Sequence, residues 1–313
     1  MALQPKTLAL ELARRPHRTL LALLLAWLGL GHVYSVATPD QAGQVALAAR
    51  LQARHLARAF AGPDGLKAMA QQAEALPEGA LICNFPKPGG QPALMQHSDV
   101  QTFFHEFGHL LHHLLGGHTR WAAHSGVRTE WDFVEAPSQF LEEWMKSPEV
   151  LATFAKDPKT GKAVPAELVK RMNRANSFGK GLLVRRQMVY AGMSLGCYDR
   201  DPSTVSSDSL FAALVKQYQP YPFVEGTHFQ CAFTHLEGYS AIYYTYMWSS
   251  VIAKDLFSKF DRAHLLAPGV AAEYRNKVLA AGGSKPAAAM IRDFLGRDFN
   301  EVAWKKWLDS DEE

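Results

Sequence analysis

Two histidines four residues apart, with a glutamate directly after the first, stand in His105-Glu106-Phe107-Gly108-His109. On a helix, positions i and i+4 lie on one face a turn apart, so both imidazoles reach a single cation while Glu106 projects beside them toward water held there. Two neutral imidazoles alone bind weakly. An active zinc centre takes three protein ligands and leaves the fourth position to water, so the motif calls for an acidic third ligand elsewhere in the chain. Cys83, Cys197 and Cys231 are widely spaced and form no CxxC pair, which argues against both a thiolate site and a disulfide framework. Any metal is therefore expected on histidine and carboxylate.

The third ligand is expected from residues 130–144, EWDFVEAPSQFLEEW. This stretch reads as a second helix, with Pro137 tolerable only in or close to its first turn. Phe133, Phe140, Leu141 and Trp144 recur at helical spacing and suit antiparallel packing on the first helix, while Glu135, Gln139 and Glu142 share another face. Glu135 then looks across at the histidine pair. His112, three residues after His109, shares its face, but a fourth protein ligand would close the position that catalysis needs. His113, His118 and His124 are expected in solvent or behind the ligands.

The elements that must hold these residues follow from punctuation. The first helix is expected to open at Ser98, as N-cap, with Asp99 suiting the dipole, and to close at Gly116-Gly117. Gly126 lets the connection to the second helix double back. Upstream, Gly79–Phe85 (GALICNF) predicts a short strand entering the loop Pro86–Gly90. Residues 38–77 predict two helices around Gly62-Pro63-Asp64-Gly65. Downstream, Ser147-Pro148-Glu149 reads as a helix start, Asp157–Val164 as a polar loop, and Pro165–Gly196 as a long helical stretch weakened by Gly179 and Gly181. Lys180, Arg185 and Arg186 read as a solvated face, the alternative being a site for a peptide carboxylate. Asn300 is expected to cap the last helix, ahead of an acidic tail at 309–313.

The chain of 313 residues is 48% hydrophobic and 20% charged, enough apolar material for a full core in one large or two modest domains. A net charge of +3, from 33 basic against 30 acidic residues, falls well short of a nucleic-acid binder's footprint. At the N-terminus, Arg14, Arg15, His17 and Arg18 precede the apolar run Leu20–Gly31, and Ser35-Val36-Ala37 follows with the small residues of a cleavage site. Such a run falls short of the about 20 residues a span requires. Residues 12–37 thus read as an export signal or anchor, with a buried amphipathic helix as the alternative.

QHSDVQTFFHEFGHLLHHLLGG followed by DFVEAPSQFLEEW resembles the thimet-oligopeptidase family of zinc metallopeptidases. ALICNFPKP resembles the strand and loop before that family's zinc helix. His235-Leu236-Glu237-Gly238-Tyr239 and Tyr243-Tyr244-Thr245-Tyr246-Met247-Trp248 resemble its substrate loop and the following helix, and Gly282-Gly283-Ser284 with Asp293–Arg297 completes the pattern. Coverage is residues 78–308, preceded by an unassigned helical region at 1–77.

The resemblance implies a mainly α, zincin-type metallopeptidase catalytic domain with a short β element before the zinc helix. It implies one zinc ion on His105, His109 and Glu135, with Glu106 as the base that activates zinc-bound water. Tyr239 and Tyr246, with His235, would stabilise the oxyanion and hold the peptide backbone, and Tyr243 and Tyr244 would line or pack. By spacing alone, Tyr239, Ile242, Tyr243 and Tyr246 read as a core stripe. The implied substrates are short unstructured peptides, and the implied location is cytoplasmic unless residues 12–37 act as a signal or a membrane anchor. A second reading keeps the metal and loses turnover: an inactive zinc-binding helical remnant, or a binding protein, lacking the family's N-terminal half. Oligomeric state is left open.

Overall fold

The computed structural model describes residues 77–85, 94–119 and 121–310. The expected signal-like segment at 12–37, the helices before residue 77 and the loop at 86–90 lie outside the described residues. The described part is mainly α-helical. Its elements are α1 (His97–Leu115), α2 (Ala136–Glu142), α3 (Pro148–Phe154), α4 (Ala166–Ser177), α5 (Lys180–Gly196), α6 (Ser207–Tyr218), α7 (His235–Gly238), α8 (Thr245–Phe257), α9 (Pro268–Lys277), α10 (Ala287–Leu295) and α11 (Val302–Asp309).

The short β element expected at 79–85 is absent, and those residues are irregular. A strand needs a partner ladder, and the pairing found among the described residues is an isolated antiparallel bridge between Lys156 and Ala163. Residues 79–85 instead lie along α1. A Cβ on Gly79 would stand 2.5 Å from Leu110 Cδ1, and Leu81 packs on the core while Ile82 is exposed. The in-and-out pattern of that segment is real, but a helix surface is what it answers.

Two other boundaries differ from expectation. Helix α1 starts two residues earlier than a Ser98 cap allows: Gln96 is the N-cap, and its N–H donates to Asp99 Oδ2 at 2.9 Å. Asp99 thus closes a capping box. The second helix begins at Ala136, not 130, with Pro137 in its first turn and Glu135 as N-cap, and tightens into a 3-10 turn over Glu143–Lys146. Proline lacks an N–H and fixes φ, so it fits where that donor is unneeded. Ser147 caps α3 as expected, whereas the N-cap of α11 is Glu301, not Asn300, whose Oδ1 accepts from Val302 N–H at 2.9 Å from one residue further out. The stretch 165–196 divides into α4 and α5 at Gly179, whose φ of 77° lies in the left-handed region. Of the acidic tail, Asp309 ends α11 and residues 311–313 lie outside the described part.

Two apolar clusters form among the described residues. The larger joins Phe104, Phe107 and Leu111 of α1, Phe140 and Leu141 of α2, Leu256 and Phe257 of α8, and Met290 and Phe294 of α10. A smaller one gathers Val189 and Met193 of α5, Phe211 of α6, Phe233 and Tyr243. Burying each large side chain is worth about 1.5–3 kcal/mol, so each cluster anchors its own elements firmly. The histidine helix belongs to the first and the tyrosine segment to the second.

Candidate metal centre

Helix α1 buries its phenylalanine stripe and turns His105 and His109 to the side facing α2, their ring centroids 5.0 Å apart. Glu135 stands where the chain enters α2 and is almost fully buried, at 1% exposure. Its Oε2 lies 3.2 Å from His105 Nε2 and 3.1 Å from His109 Nε2. The three groups expected as ligands thus converge, with one donor atom of each within 4.8 Å of the others.

Two small residues make that approach possible. A Cβ on Gly108 would lie 2.7 Å from Ser138 Cα and 2.9 Å from Pro137 O, so the helices cross at a point where only hydrogen fits. Buried Ser138 sets its hydroxyl 3.0 Å from both the carbonyl oxygen and Oε2 of Glu135. The return from α1 turns at Gly126, with φ of 79°, and its N–H donates to Gly116 O at 3.0 Å.

The outer side of His105 is also fixed. Its Nδ1 lies 2.7 Å from Glu142 Oε1, and Gln101 Nε2 donates to Glu142 Oε2 at 2.6 Å. Sequence reasoning put Glu142 on the Glu135 face but gave it no task. The i+7 interval from Glu135 was the available signal. Gln139, on the same face, donates to the backbone oxygen of Tyr246 at 2.9 Å and so ties α2 to α8.

Electrostatics follow from these contacts. Burial alone would lower the His105 pKa, but hydrogen bonds with Glu135 and Glu142 outweigh it and push it up to about 10. Burial would raise Glu135, yet the hydrogen bonds from both imidazoles hold its carboxyl far below the usual carboxylate range. The site therefore concentrates negative charge where the imidazoles meet.

The aromatic segment closes on the same carboxylate. Tyr239 donates its hydroxyl to Glu135 Oε1 at 2.8 Å, and burial with the nearby carboxylate pushes this phenol up to about 12. Tyr246 is hydrogen-bonded to Tyr239, ring centroids 5.3 Å apart, and its phenol is raised further, first by burial. His235 meets the tyrosines, at 5.9 Å from Tyr239 and 5.8 Å from Tyr246 between centroids. Tyr243 is packed in the smaller cluster, while Tyr244 reaches Asp132 Oδ2 at 3.2 Å. Glu106 follows His105 on α1, is half-buried, and its charge is felt by the Tyr239 phenol and the Cys83 thiol.

The remaining expectations sort clearly. His112 is fully buried, with neither ring nitrogen hydrogen-bonded, and stands apart from the converging trio. His113 Nε2 lies 3.0 Å from Glu78 O, and His118 and His124 are exposed. Lys180 is neither solvated nor free for a carboxylate: it is buried and donates to Trp307 O and Ser310 O at 2.8 and 2.9 Å. Arg185 is likewise committed, to Tyr218 O.

The donor set suits a divalent cation. Two imidazole nitrogens and one carboxylate oxygen already point at each other, and Glu142 holds His105 Nδ1 so that Nε2 can present its lone pair. A helical body carrying this trio, with a phenol on the carboxylate, offers a candidate site for one divalent metal ion. The model of peptidase family M3 matches residues 49–309. Thimet-like oligopeptidase of Dictyostelium discoideum is 35% identical over 239 residues, covering 74% of this chain and 35% of that protein. Oligopeptidase A of Escherichia coli is 35% identical over 228 residues, covering 71% and 33%, and mitochondrial intermediate peptidase of Arabidopsis thaliana is 32% identical over 229 residues, covering 72% and 32%. The chain belongs to peptidase family M3. It spans about a third of the length of these curated relatives.

Proposed function

We propose that this chain carries the catalytic centre of a zinc metalloendopeptidase acting on short, unstructured peptides. The observation that carries the reading is the convergence of His105, His109 and buried Glu135, from two helices held together at Gly108. The names of the relatives as oligopeptidases support the substrate class.

His105, His109 and Glu135 would hold one zinc ion. A zinc ion held there would supply Lewis-acid chemistry, lowering the pKa of a water toward about 7 and polarising a carbonyl. Glu106, one residue from a ligand, would take the proton from the attacking water and pass it to the leaving amine. No covalent enzyme intermediate is needed. Tyr239 and Tyr246 are held protonated well above neutral pH, so both can donate to a developing oxyanion. For Tyr239 this means exchanging its bond to Glu135 for one to substrate. His235, set against both rings, orients them and contacts the peptide backbone.

Zinc-loaded wild type is expected to cleave an internally quenched peptide in a chelator-sensitive way. Glu106→Gln should lower turnover by about 10²–10⁴ while zinc stoichiometry stays at one per chain. Inactivity of the zinc-loaded wild type would instead favour a non-catalytic metal-binding protein. No helix among the described residues is long and apolar enough to cross a membrane.

A further inference from the structure

A serine in the middle of a helix ordinarily turns its hydroxyl back to the carbonyl four residues earlier or out to solvent. Ser194, in the last turn of α5, does neither. It is 1% exposed, and its hydroxyl donates to the backbone oxygen of Tyr239 at 2.8 Å while accepting the N–H of Tyr243 at 3.4 Å. One side-chain oxygen thus holds both ends of the segment 239–243.

What lies between those ends is strained. Ala241 has φ of 61°, the one non-glycine residue with positive φ among the described residues. A side chain in that region costs on the order of 1 kcal/mol and persists only where its surroundings impose it. Ser240 adds a local bond, its hydroxyl donating to Leu236 O at 2.9 Å. That bond joins the segment to neighbouring α7, whereas Ser194 holds it from α5. Ser194 is carried by Val189 and Met193 on the floor of the smaller cluster, so it links the segment to a packed helix.

We infer that Ser194 is a positioning residue: its hydroxyl clamps the kinked segment 239–243 so that the Tyr239 phenol is presented to the metal centre. This rests on the proposed peptidase reading for its catalytic consequence, but the clamp itself is a property of the protein with or without metal. Removing the hydroxyl leaves Tyr243 N–H without its acceptor and Tyr239 O with only the Ile242 N–H, at 3.1 Å, and lets Ala241 relax. Phenol and carboxylate then no longer hold a fixed separation.

The test is Ser194→Ala, with Tyr239→Phe and the double variant, in the full chain. Amide hydrogen exchange of peptides covering 236–246 should quicken by about tenfold in Ser194→Ala, while peptides from α1 and α2 exchange as in wild type. In the zinc-loaded protein kcat should fall by about five- to tenfold with KM within a factor of two, the size of one lost hydrogen bond. In the Tyr239→Phe background the same substitution should cost nothing further. Unchanged exchange at 236–246 overturns the clamp. Exchange that quickens equally in α1 and α2 also overturns it, since Ser194 would then be supporting the whole body. An undiminished kcat loss on top of Tyr239→Phe overturns the coupling to that phenol. If zinc-loaded wild type cleaves nothing, the peptidase reading fails by itself and the exchange measurement still decides the clamp.

Discussion

At the scale of single residues, the centre is built from side chains that each satisfy more than one neighbour. Glu135 accepts from Tyr239 at one oxygen and meets both imidazoles and Ser138 at the other. Glu142 shows how much depends on a group that would touch no metal. With its carboxylate on Nδ1, His105 is held in the tautomer and rotation that direct Nε2 inward. Glu142→Ala is therefore expected to weaken zinc binding by about 10–100-fold with little change in melting temperature, measured by competition with a chromophoric chelator. Equal affinity in the variant would mean that the imidazole is oriented by packing alone. His105, His109 and Glu135 were legible because a four-residue interval and an unmet third ligand are local arithmetic. Glu142 was half legible, placed on the right face without a partner. Ser138 and Ser194 were not, since a buried hydroxyl's partner lies in whichever segment the fold brings to it.

At the scale of elements, Gly108 decides how closely α1 and α2 approach. Glycine inside a helix costs about 1 kcal/mol relative to alanine, so propensity alone favours Gly108→Ala. Packing opposes it more strongly, because the added Cβ would meet Ser138 Cα and Pro137 O, backbone atoms that cannot rotate away. Overpacking of this kind costs about 1–3 kcal/mol, and the helices can relieve it only by separating at the point where Glu135 meets the histidines. The expected outcome is a lower melting temperature together with at least about tenfold weaker zinc binding, read by thermal denaturation and metal titration. A variant as stable and as tight as wild type would refute the crossing. Periodicity announced both helices here, and Pro137 nearly fixed where the second begins. The strand expected at 79–85 failed for a physical reason of the same kind: alternation tells which side chains turn inward, but whether a ladder or a helix receives them depends on residues far away.

At the scale of the whole molecule, buried ionisable groups set how stability follows pH. His112 is enclosed without a hydrogen bond, and burial, followed by the charges of His109 and His113, lowers its pKa to about 4 from an ordinary 6.5. A histidine depressed in this way contributes stability that is complete above pH 6.5 and is lost as the pH falls toward 4. The loss amounts to about 3 kcal/mol. His112→Leu should flatten that acid limb and raise stability at pH 5, as followed by urea denaturation at several pH values. A variant with the wild-type slope would assign the acid sensitivity to other groups. His105 runs the opposite way in the metal-free protein: its raised pKa gives stability that is full below pH 6.5 and fades as the pH climbs to about 10. The contributions of these two histidines to the metal-free protein thus overlap around pH 6.5. A carboxylate oxygen already gripped by two imidazoles also means that protons and the cation compete for one socket. Buffers on the acid side of neutrality should strip the protein during isolation, and reloading should proceed best in mildly alkaline solution.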